Sequence, residues 1–168
     1  MRLIGASGAV ALVVALLGVL GWGLAHPAAQ AGATTGSAAP DITVELLDGS
    51  SLTLAAYHGS PVVVNFWATW CADCKREAPA LAAAARANPG VRFLGVVYQD
   101  TPSAARSYQA SSAAYPYPIG FSDMAGKSFG VEANPETFFV DARGVVRAVA
   151  IGPLTAGALA HDLQVAER

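Results

Sequence analysis

Only two cysteines, Cys71 and Cys74, occur in 168 residues, and the three histidines, His26, His58 and His161, are scattered along the chain. That count excludes a scaffold stapled by several disulfides. It also argues against a structural zinc site, which takes four ligands. Haem attachment through such a pair needs a histidine after the second cysteine, and Lys75 stands there. A bridge over two intervening residues closes almost no loop and would stabilise little. Charge is scarce as well: 13% of residues are charged, the net charge is −2, and no basic run occurs. Nothing in that pattern would attract nucleic acid.

Between Leu3 and Pro40 there is no Asp, Glu, Lys or Arg at all. Leu3 to Ala25 is apolar or small throughout, with Ser7 as its one polar side chain. A stretch of this length exceeds a secretory h-region of about 7–15 residues and meets the roughly 20 needed to span a bilayer. Residues 1–25 are therefore expected to be an uncleaved anchor, with Arg2 kept inside and the rest of the chain outside the cytoplasm. The rival is a cleaved signal peptide, for which Ala29-Gln30-Ala31 supplies a small-x-small site. Either reading exports the remainder of the chain, a flexible linker over residues 26–40 and one folded domain over 41–168.

The two cysteines sit where an apolar run, Val62 to Trp67, meets an alanine-rich stretch. The run is β-branched and continuous, as in a central strand covered on both faces. Cys71 then falls at the first turn of a helix, where unpaired N–H groups and the helix dipole favour a thiolate. Cys74, one turn deeper, can close back on Cys71. An activated thiol beside a resolving thiol is the equipment for thiol–disulfide exchange, with no bound cofactor beyond the Cys71–Cys74 couple itself. The helix is expected to reach about Ala87, with Pro79 kinking it.

Around this centre the pattern is α/β. Ile42, Val44 and Leu46 alternate with polar residues, and Asp48-Gly49 signals a hairpin returning through Leu52 and Leu54. A helical turn comes next, at Leu54 to Tyr57. Val91 to Tyr98 is a strand, and Thr101-Pro102 caps a helix through about Gln109. This strand–helix–strand–helix order implies parallel pairing with a right-handed crossover. Tyr115 to Pro118 reads as a loop, Ile119 to Phe121 as a short strand, and Met124 to Phe129 as a short helix closed by Gly130. Thr137 to Val140 and Val145 to Ile151 form an antiparallel hairpin. A last helix, Leu154 to Ala166, has Thr155 as candidate cap and Leu159 and Leu163 inward. Tyr98, Tyr115 and Tyr117 read as core or loop aromatics.

Three blocks carry a resemblance: Val63-Val64-Asn65-Phe66-Trp67-Ala68-Thr69-Trp70-Cys71, then Cys74 with Glu77, then Gly130 through Asn134-Pro135-Glu136-Thr137-Phe138-Phe139-Val140-Asp141. From about Pro40 onward the chain resembles thioredoxin-fold proteins. More narrowly it is similar to the TlpA/ResA/DsbE-like membrane-anchored thiol–disulfide oxidoreductases, including those of cytochrome c maturation. The resemblance implies a thioredoxin-like fold with a central mixed sheet flanked by helices and an N-terminal β-hairpin extension. It implies that Pro135 is a cis proline facing the cysteines, and that the backbone of Asn134 takes up an extended substrate segment by strand addition. It places an active-site glutamate at Glu77. From its own context Glu77 reads first as an exposed helical carboxylate beside Arg76; if buried, it can exchange a proton with a thiol. Glu136 either tunes the same pair or faces water. Asn65 stands where ordinary thioredoxins carry an aspartate, which leaves proton handling to Glu77.

Asp73 lies between the cysteines. Its charge opposes a thiolate and makes the pair more reducing, or it merely complements the helix N-terminus. Trp70, just before the first cysteine, either shields the sulfurs and contacts partners or only packs, and its position favours contact. The partners implied by resemblance are a protein disulfide, in an apocytochrome c or a maturation factor, and a membrane electron donor that re-reduces the pair. Two other readings stay open. The thiolates would suit Cu(I) in an oxidase-assembly module, and a general disulfide-forming oxidase differs from a reductase only in potential.

Overall fold

The computed structural model describes residues 12–18, 32–112 and 114–168. Residues 12–18 are helical. Most of the anchor expected over residues 1–25, and residues 26–31 of the expected linker, lie outside the described residues. Among the described residues no helix is long and apolar enough to cross a membrane.

The unit Gly32–Arg168 is built on one seven-stranded mixed sheet. Its strands are β1 (Thr43–Leu46), β2 (Ser51–Thr53), β3 (Val62–Trp67), β4 (Arg92–Val97), β5 (Ile119–Phe121), β6 (Glu136–Val140) and β7 (Val146–Ile151), in spatial order β2-β1-β5-β4-β3-β6-β7. β3 runs parallel to β4 and antiparallel to β6. The helices are α1 (Ala72–Ala87), α2 (Pro102–Ser112), α3 (Asp123–Phe129) and α4 (Ala156–Ala166), with a single 3-10 turn at Leu54–Tyr57. The expected thioredoxin-like architecture with its opening hairpin is therefore present. The hairpin joins the main sheet through β1 and β5, which pair antiparallel.

β3 is buried along its whole length because both faces are covered. Alternation sends Val63, Asn65 and Trp67 to one face and Val62, Val64 and Phe66 to the other. The first face packs with Leu81 of α1, Leu159 and Leu163 of α4, and Tyr115. The second packs Phe66 among Phe129 and Phe138, with ring centroids 5.3 and 5.8 Å away. Each such buried ring contributes on the order of 2–3 kcal/mol.

α1 reaches Ala87, as expected, with Pro79 inside it. Two details differ from expectation. α4 begins at Ala156 rather than Leu154: the Thr155 hydroxyl accepts the Ala158 N–H and fixes the start, leaving Leu154 outside with its N–H free for another partner. Residues 32–39, expected as part of a loose tether, are laid onto the domain. Ala33 N–H donates to the Phe129 carbonyl at 2.9 Å, Gly36 N–H to Val146 at 2.8 Å, and Ala39 N–H to Gly144 at 2.8 Å. Ala38 bridges Val145. The attachment is made by the backbone, and of residues 32–39 Ala33 alone is buried.

Candidate active site

β3 delivers the cysteines at the carboxyl end of the parallel strand pair. The turn after it is tied to the loop after β4: Asp100 Oδ2 accepts both the N–H and the hydroxyl of Thr69, each at 2.6 Å. Partial burial pushes the Asp100 carboxyl up, but these bonds and one from the Thr101 N–H hold it below the ordinary aspartate range. Cys71 is the N-cap of α1, and its sulfur accepts the Cys74 N–H at 3.0 Å. The two are joined as a disulfide, with their Cα atoms 5.3 Å apart. Cys71 keeps 5% exposure and Cys74 none. This is the order required if the first sulfur meets a substrate and the second resolves.

Glu77 is buried, at 2% exposure, on the same helix and one turn beyond Cys74. The alternative of an exposed carboxylate beside Arg76 is not what forms; Arg76 pairs with Asp73 instead. Glu77 Oε1 accepts from Asn65 Nδ2 at 2.9 Å, and Oε2 accepts from the Leu154 N–H at 2.9 Å. Burial pushes the carboxyl above its ordinary value of 4.5. The two donors pull it partly back, and the charge of Asp73 adds to the rise. Asn65 also donates its amide to Thr137 Oγ1 on β6 at 2.9 Å. β3 and the β7–α4 loop thus each donate to the α1 carboxyl group, and β6 holds the β3 donor.

The Asn134–Pro135 peptide is cis. Glu136 pairs with Phe66, so Pro135 lies at the sheet end from which the cysteines emerge. The Pro135 carbonyl accepts the Gly152 N–H at 2.9 Å. The Asn134 side chain donates to the Tyr98 carbonyl at 2.9 Å. Glu136 is buried, at 7% exposure, and its carboxyl is raised by that burial and by the charge of Glu132, against a bond from the Glu132 N–H. Register puts it with Phe66, on the sheet face opposite Asn65 and Thr137. Trp70 is 60% exposed beside Cys71, its indole N–H donating to the Gln99 carbonyl at 3.0 Å. Gln99 has φ +57, a left-handed conformation uncommon outside glycine. Tyr98 and Tyr115 are buried and Tyr117 half-buried, as expected of core or loop aromatics. Among the described residues no group of three or more His, Cys, Asp or Glu is arranged to hold a metal ion.

Sequence reasoning missed three members of this site: the Leu154 N–H, the Thr137 hydroxyl and the Asp100 tether. A backbone donor has no sequence signature. Thr137 is legible only as a strand residue until its register opposite Asn65 is known.

The profile of the AhpC/TSA family matches residues 35–149. The chain is 40% identical over 105 residues to the thiol:disulfide interchange protein DsbE of Pseudomonas fluorescens biotype C, covering 61% of this chain and 57% of that protein. It is 30% identical to the thioredoxin-like protein YneN of Bacillus subtilis, over 86% of this chain and 88% of YneN. It is 35% identical to the thiol:disulfide interchange protein HelX of Rhodobacter capsulatus, over 77% of this chain and 74% of HelX. Among solved structures, a DsbE-type protein of Chlorobium tepidum superposes with TM-score 0.74 over 80% of this chain and 99% of its own, at 23% identity, which speaks for the fold alone. MTB DsbF superposes with TM-score 0.72 at 27% identity, over 79% of this chain and all of its own. With a disulfide at the N-terminus of α1, a cis proline at the same sheet end and these likenesses together, the chain belongs to the AhpC/TSA family and, within it, to the thioredoxin-like thiol–disulfide oxidoreductases.

Proposed function

We propose that the protein reduces disulfides of exported polypeptides outside the cytoplasm, held there by its N-terminal apolar segment. The observation that carries the reading is the placement of Cys71 as N-cap of α1, with Cys74 and Glu77 buried behind it on the same helix. The Cys71 thiolate attacks a substrate disulfide; one substrate sulfur leaves and a mixed disulfide forms. Glu77 takes the Cys74 proton. The Cys74 thiolate then attacks the Cys71 sulfur, the second substrate thiol departs, and the substrate has gained two electrons. The Asn134 backbone takes up the substrate segment beside Pro135, the exposed Trp70 contacts it next to Cys71, and Asp73 tunes the pair; Glu136, on the opposite sheet face, is left out of this role. Likeness to DsbE and ResA proteins points to an apocytochrome c or a maturation factor as substrate, with a membrane-bound dithiol donor restoring the reduced pair.

The test is trapping. Cys74→Ser protein should accumulate a mixed disulfide with its partner, and Cys71→Ser protein should not. Equal behaviour of the two variants would refute the assigned roles. Equilibration of the couple with glutathione gives the direction: a strongly reducing potential fits a reductase, and an oxidising one fits a disulfide-forming enzyme.

A further inference from the structure

We propose that Asn65 and the backbone N–H of Leu154 are the positioning groups that hold Glu77 as a carboxylate and set the pH at which it accepts the Cys74 proton. The inference rests on the reading of Glu77 as the resolving base. Each oxygen of the buried carboxylate meets one donor, at 2.9 Å in both cases. Neither donor is ionisable, so neither competes for the proton. Both favour the charged form, against a burial that disfavours it.

The donors are themselves fixed. The Asn65 amide is shared between Glu77 and Thr137 Oγ1 on the neighbouring strand, which sets its orientation. Asn65 Oδ1 is buried without a partner among the described residues, so the amide is retained here for its donors. Leu154 is free to donate because α4 starts two residues later. The chain reaches Glu77 by turning at Gly152, whose φ is +87. That same glycine donates to the Pro135 carbonyl. One short segment therefore ties the cis-proline loop to the buried carboxylate, and a proton on Glu77 would weaken the charge-assisted bond from Leu154.

The charged and titratable groups around Glu77 are few. α1 contributes Asp73 and the cysteine pair, and the loop before β5 contributes Tyr115 and Tyr117, both raised far above the ordinary range by burial. β3 and β6 contribute Asn65 and Thr137, which do not ionise, and the β7–α4 loop only a backbone N–H. Removing one donor removes stabilisation of the charged form alone, so the midpoint must move upward.

The experiment uses the full-length chain. In the wild type, the Leu154 amide ¹⁵N shift should titrate with a single midpoint above the ordinary glutamate value, and Glu77→Gln should abolish that titration; a Leu154 amide that does not respond overturns the inference without any variant having to fold. With insulin as the disulfide probe, Asn65→Leu should raise the midpoint of the pH–rate profile by about one pH unit, as expected for loss of one charge-assisted bond. An unmoved midpoint in Asn65→Leu, while Glu77→Gln loses the inflection, overturns the positioning role and leaves the base intact. A Glu77→Gln profile identical to the wild type removes the base itself.

Discussion

Asn65 and Glu77, twelve positions apart in sequence, share a hydrogen bond of 2.9 Å across the interface between β3 and α1. It puts a neutral donor where a second acid would otherwise stand. Asn65→Asp would put two carboxyl groups within bonding distance, and like charges that close share a proton. We expect this variant to lose about 2 kcal/mol of stability near neutral pH. The deficit should shrink as the pH falls to about 5. Urea unfolding at the two pH values checks it.

Glu77 has a definite sign in the stability of the oxidised protein. Its folded value is raised above 4.5, by burial first. The folded state therefore binds the proton more tightly than the unfolded chain. Its contribution is fully present below the ordinary glutamate value and is lost as pH rises through the raised one. Glu77→Gln should accordingly show a flatter dependence of thermal unfolding on pH between about 4 and 7. An unchanged slope would contradict the burial argument.

Asp73 lies in the first turn of α1, between the cysteines, and is paired with Arg76, which is 68% exposed. A surface pair of this kind is screened by solvent and leaves much of the aspartate charge acting on its surroundings. Asp73→Asn should lower the Cys71 thiol pKa and speed alkylation of the reduced protein near pH 6 by roughly two- to threefold. Iodoacetamide kinetics read the effect directly.

Asp141 closes the β6–β7 turn. Its Oδ1 accepts the Arg143 and Val145 N–H groups at 2.8 and 2.9 Å, and Arg147 bonds Oδ2. Burial pushes its carboxyl up, but these bonds outweigh it and bring the value to about 2. Stability from this group is present above the ordinary aspartate value and lost as pH falls through about 2. Asp141→Asn should cost about 1–2 kcal/mol at neutral pH, allowing for the exposure of Arg143. The difference from wild type should vanish under strongly acid conditions.

Much of this molecule is legible in its residues, for identifiable reasons. Val62 to Trp67 announces a doubly covered strand because every position is apolar apart from Asn65. Thr101-Pro102 and Thr155 announce helix starts because side-chain caps are local chemistry. The partnership of Asn65, Glu77, Thr137 and Leu154 is different. It spans up to 89 positions of sequence and depends on strand register and on a backbone donor, neither of which composition records. Leu154 reads as the start of an amphipathic helix from its spacing to Leu159 and Leu163. The Thr155 cap overrides that spacing and frees the donor. Residues 32–39 read as a tether because the backbone bonds that fix them to Phe129, Gly144 and Val146 have no sequence signature.

That apposition bears on where the chain can be cut. The segment covers one end of β7, an outermost strand whose ungrasped N–H and C=O groups would otherwise invite another molecule to add to the sheet. A fragment starting at Gly32 keeps this selvage. One starting at Asp41 strips it and lays bare the Val146 backbone, so it should unfold at lower temperature and scatter more light on standing, although every residue near the cysteines is still in place.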